Sequence, residues 1–228
     1  MATPHRNSSP TCEVDVGVSL YYLVKKIFFG VYNPSIILTY ISVFSALYGI
    51  VCMMSGKAEN MLLPIIALVV SGVCDMFDGA VARKCKRTEV EKEFGIQLDS
   101  LADTVAFVVY PAVMLLHWTD YHIVAIIISF FYAFTGIMRL GWFNVTTEEN
   151  HGVFQGIPVT SIAILLPLVY MICSKYAVNA NVYSIIMQIL FAMVGVLFIT
   201  NIKIAKPTHK ARIILGVLAV VLIVLLFI

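Results

Sequence analysis

The stretch that decides the fold is residues 74–103, which read CDMFDGAVARKCKRTEVEKEFGIQLDSLAD. Asp75 and Asp78 lie three residues apart at the end of one apolar segment, and Asp99 and Asp103 lie four apart near the start of the next. Side chains three or four residues apart share one face of a helix. Each pair is therefore predicted to present two carboxylates in one direction.

The depth of the four aspartates predicts that they meet. Suppose that the first segment reaches the cytoplasmic surface of a membrane at Arg83 and that the next segment leaves this surface near Glu93. A rise of about 1.5 Å per residue then places all four aspartates about 8 to 15 Å below the membrane surface. An acidic side chain at such depth costs on the order of 3 kcal/mol on insertion scales. Two divalent cations would cancel the formal charge, and an all-oxygen ligand set suits hard ions such as Mg²⁺, Mn²⁺ or Ca²⁺.

Composition predicts a multi-pass membrane protein. Hydrophobic residues make up 61% of the 228 positions and charged residues only 12%, which leaves little surface suited to water. A net charge of +2 gives no reason to expect a nucleic-acid partner. The five cysteines form no CxxC pair, which argues against structural zinc. The polar amino terminus lacks the pattern of a signal peptide.

We predict an all-α fold, a polytopic integral membrane helical bundle with six core transmembrane helices. The predicted spans cover residues 35–54, 61–83, 94–117, 121–144, 157–176 and 182–205. A seventh span is expected near the carboxyl terminus, and an amphipathic interfacial helix is expected over residues 16–32. The predicted domains are a polar amino terminus with the interfacial helix (1–32), the core (33–207) and an additional transmembrane helix (208–228).

Basic residues set the predicted orientation. With the amino terminus inside, thirteen of the 15 Lys and Arg residues lie on the cytoplasmic side, and only Lys57 and Lys175 lie outside. Cytoplasmic loops of membrane proteins carry such an excess of Lys and Arg. The aspartates are therefore predicted at the cytoplasmic face of the cell membrane. The DxxD pattern occurs once, so no inverted repeat typical of many transporters is detectable.

The aspartate stretch resembles the signature of the CDP-alcohol phosphatidyltransferases. The shared positions are Asp75, Asp78, Gly79, Ala82, Arg83, Gly95, Asp99 and Asp103. Eleven residues separate Arg83 from Gly95, a few more than the pattern usually has. The extra residues fall in a charged loop, where insertions are tolerated, so we interpret them as a longer cytoplasmic turn that leaves the site intact.

The resemblance implies an enzyme that transfers a phosphatidyl group from CDP-diacylglycerol to an alcohol and releases CMP. It implies that two divalent cations, Mg²⁺ or Mn²⁺, are held by Asp75, Asp78, Asp99 and Asp103. Asp103 would also be the catalytic base that takes the proton of the attacking hydroxyl. CDP-diacylglycerol binding is assigned to Gly79, Ala82, Arg83 and Gly95. The resemblance also implies that the enzyme is a homodimer and that membrane lipids surround it.

Two later segments resemble the phosphatidylserine synthase branch of this family. They read RLGWFN at residues 139–144 and FQGIP at residues 154–158. The resemblance implies L-serine as the acceptor alcohol, bound by Arg139, Asn144, Gly156 and Pro158. Arg139 is predicted at the level of the aspartates, where a guanidinium can hold a carboxylate bidentately.

Other interpretations stay open at this point. The same chemistry would serve glycerol 3-phosphate or an inositol phosphate, although these anionic acceptors call for several basic residues around the pocket. In a different class, a divalent-cation transporter would use the aspartates as a transit site. Glycine and alanine in a membrane helix commonly serve packing, and an arginine at a helix end, such as Arg83 or Arg139, commonly anchors the helix at the interface.

Overall fold

A computed structural model of the protein describes residues 33–55, 61–146 and 153–205. In this part of the chain the fold is a helical bundle with one short two-stranded ribbon. Its elements are α1 (Ile37–Met54), α2 (Leu62–Lys84), α3 (Glu89–Asp103), α4 (Tyr110–Trp118), α5 (Ile123–Thr146), β1 (Val153–Gln155), α6 (Ile162–Lys175), α7 (Ala180–Ile199) and β2 (Lys203–Ala205). Short 3₁₀ turns lead into α1 and α6.

Five helical stretches among the described residues are long and apolar enough to cross a membrane, which confirms the predicted polytopic bundle. They are Pro34–Met54, Leu62–Lys84, Glu89–Trp118, Ile123–Thr146 and Ala180–Ile199. The predicted fifth span is present as a shorter apolar helix, Val159–Lys175. The predicted interfacial helix and seventh span lie outside the described residues.

The third span departs most from a straight helix. It begins at Glu89, earlier than the predicted residue 94, because Thr88 and Glu91 form a capping box. The Thr88 hydroxyl accepts a hydrogen bond from the Glu91 backbone N–H at 3.3 Å, and the Glu91 carboxylate accepts one from the Thr88 N–H at 2.9 Å. After α3 the chain forms a π-helical segment, Thr104–Val109. Such segments are frequent at functional sites, and Asp103 lies directly before this one.

Part of this π-helical segment lies in the core. Residues 106–108 are fully buried. Two buried tyrosine hydroxyls donate hydrogen bonds to backbone carbonyls of the core, Tyr132 to Phe107 at 2.7 Å and Tyr110 to Pro64 at 2.6 Å. A buried polar group left without a partner would cost about 1–3 kcal/mol, so these bonds fix how α4 and α5 pack.

Small polar residues join α1 to α2. Ser42 donates a hydrogen bond to the carbonyl of Ser71 at 3.3 Å, and Ser71 donates one to the carbonyl of Ser42 at 2.9 Å. Small residues and interhelical hydrogen bonds are the usual means by which transmembrane helices associate. Since Asp75 and Asp78 follow Ser71 by about one and two turns of α2, this contact fixes the register of α1 beside both aspartates.

The prediction of the sixth span is wrong at its carboxyl end. α7 ends at Ile199 rather than at residue 205, and the following segment forms β2, which pairs antiparallel with β1. The backbone N–H of Gly156 extends this ribbon by donating to the carbonyl of Ile202 at 2.7 Å. A short apolar run after a helix can continue the helix or form a strand, and periodicity alone does not distinguish the two.

Candidate active site

Three of the four predicted metal ligands converge where α2 and α3 face each other. Asp75, Asp99 and Asp103 each offer a carboxylate oxygen, and these atoms all lie within 4.8 Å of one another. The carboxyl groups of Asp75 and Asp103 are direct neighbours in this set. All three side chains are partly buried. A set of closely spaced carboxylate oxygens is the donor chemistry that hard divalent cations require.

The fourth predicted ligand, Asp78, lies beside these three. Its carboxyl group contacts that of Asp99, and the residue is only 8% exposed. Thr39 of α1 donates a hydrogen bond to its Oδ2 at 3.3 Å. We refer to Asp75, Asp78, Asp99 and Asp103 together as the acidic group. Thr39 was not predicted, because nothing in the sequence around it indicates which face of α1 packs against Asp78.

The acidic group has no protein counter-ion in residues 33–55, 61–146 and 153–205. The one ion pair found there joins Lys92 to Glu89 on the surface of α3. Two carboxylates in contact repel each other unless a proton or a cation lies between them. Oxygen ligands from two helices, partly buried and without a basic partner, fit a divalent-cation site.

A cavity of about 200 Å³ opens beside Asp78 and Asp99. It brings together all four residues predicted to bind CDP-diacylglycerol, namely Gly79, Ala82, Arg83 and Gly95. Thr39 and Arg87 also line it. Arg87 belongs to the loop between α2 and α3, which the sequence predicts only as a longer turn. The unusual length of that loop was the one signal in the sequence that could have pointed to it.

Two glycines of the cavity each lie under a guanidinium. A Cβ built on Gly79 would be 3.4 Å from Nη1 of Arg83, and a Cβ on Gly95 would be 3.5 Å from Nη1 of Arg87. These are ordinary van der Waals distances, so neither glycine is required for close packing between helices among the described residues. What the two glycines provide is a surface of the cavity free of side chains.

Arg139, predicted to bind serine, ties α5 to the turn that follows β1. It is 6% exposed, and its guanidinium donates to two backbone carbonyls, from Nε to Ile157 at 3.2 Å and from Nη2 to Gly156 at 3.5 Å. Gly156 has φ +74°, and a Cβ there would lie 3.0 Å from the carbonyl oxygen of Phe198. That conformation and that close approach both favour glycine. Arg139 and Gly156 therefore stabilise this turn.

The structure does not bring the four predicted serine-binding residues into the cavity of the acidic group. Arg139 lines a second cavity, of about 370 Å³, whose lining includes none of the four aspartates. Asn144 is joined to α3, because Ser100 donates a hydrogen bond from its hydroxyl to Oδ1 of Asn144 at 3.0 Å. Pro158 is exposed and lines neither cavity.

Arg139→Leu is expected to lower the free energy of unfolding by about 2–3 kcal/mol, because two backbone carbonyls lose a charged donor. Arg139→Lys is expected to recover less than half of that loss, since an ammonium cannot reproduce the planar fork of donors. Denaturant unfolding of the purified protein in detergent would measure both, with the exposed neighbour Met138 changed to Leu as the control. Unchanged stability together with a raised KM for serine would instead indicate direct contact with serine.

A family model described as CDP-alcohol phosphatidyltransferase matches residues 32–227. The chain belongs to this family. The membership confirms the prediction made from the aspartate signature and makes the chain an enzyme, a CDP-alcohol phosphatidyltransferase. It weighs against the cation-transporter alternative.

Relatives within the CDP-alcohol phosphatidyltransferases are named for serine. The chain is 28% identical over 163 residues to the CDP-diacylglycerol–serine O-phosphatidyltransferase of Helicobacter pylori, covering 70% of this chain and 67% of the relative. It is 30% identical over 156 residues to the enzyme of the same name from Methanocaldococcus jannaschii, covering 68% and 70%. It is also 32% identical over 107 residues to the archaetidylserine synthase of Methanothermobacter thermautotrophicus, covering 46% and 45%.

Proposed function

We propose that this enzyme transfers a phosphatidyl group from CDP-diacylglycerol to the hydroxyl of L-serine, giving phosphatidylserine and CMP. The observation that carries the proposal is the acidic group opening on a cavity that contains Gly79, Ala82, Arg83 and Gly95. Serine as the acceptor is supported by the names of the relatives.

In the proposed reaction the serine Oγ forms a bond to the phosphorus that carries diacylglycerol. The bond from this phosphorus to the bridging oxygen of the diphosphate breaks, and CMP leaves with the electron pair. The proton of the serine hydroxyl passes to the carboxylate of Asp103. A positioned base of this kind contributes typically about 10²–10⁴-fold to the rate. Beyond that, phosphoryl-type transfer needs mainly positioning and electrostatic stabilisation.

The proposed cofactors are two divalent cations, Mg²⁺ or Mn²⁺, held by the acidic group. When bound there they neutralise the charge of the diphosphate and of the leaving CMP. Contacts within and between α1, α2 and α3 hold the four carboxylates in place. The Ser42–Ser71 contact fixes α2 against α1, the Thr39 hydroxyl orients Asp78, and the capping box at Thr88 fixes the start of α3.

The proposed serine site is revised in part by the geometry. Asn144 remains a proposed contact with serine, because its hydrogen bond to Ser100 holds it next to the helix that carries Asp99 and Asp103. For Arg139, Gly156 and Pro158 we propose an indirect role in serine binding. The turn after β1, to which they contribute, supports the end of α5.

We further propose that the amino terminus and the acidic group face the cytoplasm at the cell membrane, and that the enzyme is a homodimer. The orientation is supported by the distribution of Lys and Arg along the sequence. The dimer follows only from resemblance to the family. Light scattering of the detergent-solubilised protein would measure the mass of the oligomer, and a monomeric mass in an active preparation would contradict the dimer.

The proposed reaction is tested by incubating the purified protein with CDP-diacylglycerol, Mn²⁺ or Mg²⁺, and one alcohol at a time. We expect CMP release with L-serine and none with glycerol 3-phosphate or an inositol phosphate. Release with inositol phosphate but not with serine would reject the acceptor and keep the transferase chemistry. No release with any alcohol would reject the proposed function.

Gly79→Ala is expected to raise the KM for CDP-diacylglycerol about tenfold, because an added methyl group overpacks the enzyme–substrate complex by about 1–2 kcal/mol. The unfolding temperature should not fall, since the nearest protein atom to the new Cβ is 3.4 Å away, at the end of the Arg83 side chain. Gly141→Ala is the matched control, because its Cβ would meet nothing within 4 Å. A KM increase accompanied by an equal loss of stability would indicate a packing role for Gly79.

A further inference from the structure

The loop between α2 and α3 carries an arginine to which the family signature gives no role. Arg87 lies directly before Thr88, the residue that caps α3. It lines the 200 Å³ cavity together with Asp78, Arg83 and Asp99. The loop that holds it is longer than the family pattern usually has. The family signature therefore does not explain why Arg87 lies in the cavity.

The guanidinium of Arg87 has unused donors at this cavity. Its Nε is shielded from solvent and has no hydrogen-bond partner in the described part of the chain. Its Nη1 lies against the bare backbone of Gly95, 3.5 Å from the position that a Cβ would take. Buried donors are rarely left without a partner. Because the guanidinium lines the cavity, its other N–H groups can donate to an acceptor that enters there.

The first two acidic residues that follow Arg87 are engaged elsewhere. Glu91 accepts a hydrogen bond from the backbone N–H of Thr88 at 2.9 Å, and Glu89 forms an ion pair with Lys92 at 2.7 Å. No carboxylate among the residues that the structure describes forms an ion pair with Arg87. The capping box also fixes the backbone directly after it. The backbone next to Arg87 is thus fixed, and its guanidinium lines the cavity of Asp78 and Asp99 without forming an ion pair with either.

We propose that Arg87 binds the phosphate of the CMP half of the CDP-linked substrate. This rests on the proposed function, in which the nucleotide occupies the cavity beside Asp78 and Asp99. A guanidinium offers two parallel N–H donors that match two phosphate oxygens. Arg83 reaches the cavity from the α2 side, over Gly79, and Arg87 reaches it from the α3 side, over Gly95. Together they bind the phosphate on which negative charge grows as CMP leaves.

The test is calorimetric binding of CMP to the purified full chain in the presence of Mn²⁺, which does not depend on the acceptor alcohol. Arg87→Ala is expected to weaken CMP binding by about 10- to 100-fold, the range for loss of charge-assisted hydrogen bonds. Arg87→Lys, a second variant that keeps the charge, is expected to lose about 3- to 10-fold, because lysine lacks the fork of donors. Lys84→Ala is the matched control, an exposed basic residue at the end of α2, and should leave CMP affinity unchanged.

Weaker CMP binding in both Arg87 variants, with normal binding in Lys84→Ala, would support the proposal. Unchanged affinity in folded Arg87→Ala, equal losses in Arg87→Ala and Lys84→Ala, or no CMP binding by the wild-type protein would overturn it. Serine-dependent CMP release by the wild-type protein is measured in parallel. A protein that binds CMP through Arg87 but does not use serine would reject the acceptor and leave this inference standing.

Discussion

Asp103→Asn is expected to lower the rate of serine-dependent CMP release by about 10³-fold or more, because the variant lacks the proposed base, which contributes about 10²–10⁴-fold. Asparagine keeps the shape of the side chain and one oxygen ligand, so at least one cation is expected to remain bound. Steady-state CMP release and Mn²⁺ titration of the same preparation would measure the two effects separately. The prediction is specific because Asp103 contacts Asp75 and ends α3 directly before the π-helical segment.

The matched control for Asp103→Asn is Asp120→Asn. Asp120 is an exposed residue between α4 and α5, with φ 47°, a backbone conformation that asparagine adopts readily. This control should keep full activity and full stability. Full activity in Asp103→Asn would remove Asp103 as the base. If that variant instead lost all cation binding, Asp103 would be a ligand on which the whole site depends, and the base would have to be sought among Asp75, Asp78 and Asp99.

The convergence of the acidic group could be predicted because it depends on helix geometry and on the membrane. Spacings of three and four residues fix the direction of each carboxylate pair. The cost of an acidic side chain at bilayer depth requires that the pairs be compensated. Both arguments use only local sequence and the thickness of the bilayer. The structure accordingly brings Asp75 to Asp103 and Asp78 to Asp99.

The partners of the acidic group could not be predicted, because they depend on tertiary packing. Thr39 reaches Asp78 only because the Ser42–Ser71 contact sets the register of α1 on α2. Arg87 reaches the cavity because of the course of the loop between α2 and α3. The local sequence around Thr39 and around Arg87 does not indicate which residues either side chain will contact.

The serine-binding prediction shows the same limit at Arg139. The place of Arg139 near one end of α5 could be predicted from the sequence. The carbonyls that it binds could not, because Gly156 and Ile157 are brought to it by the β1–β2 ribbon. That ribbon pairs segments about fifty residues apart, and its second strand was predicted as the end of a helix. The carbonyl partners of Arg139 were therefore missed, while its role toward serine stays a prediction.

Chelation of divalent cations is expected to abolish CMP release and to lower the unfolding temperature by several degrees, and both should be restored by Mn²⁺ or Mg²⁺. Two ionised carboxylates about 4 Å apart repel by about 4 kcal/mol at an effective dielectric constant near 20, and the acidic group contains two such contacting pairs. Without cations, protonation relieves part of this repulsion, so the net loss of stability is smaller than the sum. Assays of CMP release and thermal unfolding with and without chelator would measure both effects, and titration of the apoprotein should give two bound Mn²⁺ per chain.

The double variant Asp75→Asn, Asp99→Asn is the control that separates repulsion within the acidic group from an unspecific effect of the chelator. Each substitution removes one charge from a different contacting pair, Asp75–Asp103 and Asp78–Asp99. The variant is expected to be inactive, because two ligands are weakened, yet its unfolding temperature should no longer respond to chelation, because neither pair remains doubly charged. If wild-type activity and stability both survived chelation, the acidic group would work without cations and the two-cation proposal would be wrong. If the double variant lost stability with chelator as the wild type does, the cations that matter for folding would bind elsewhere in the chain.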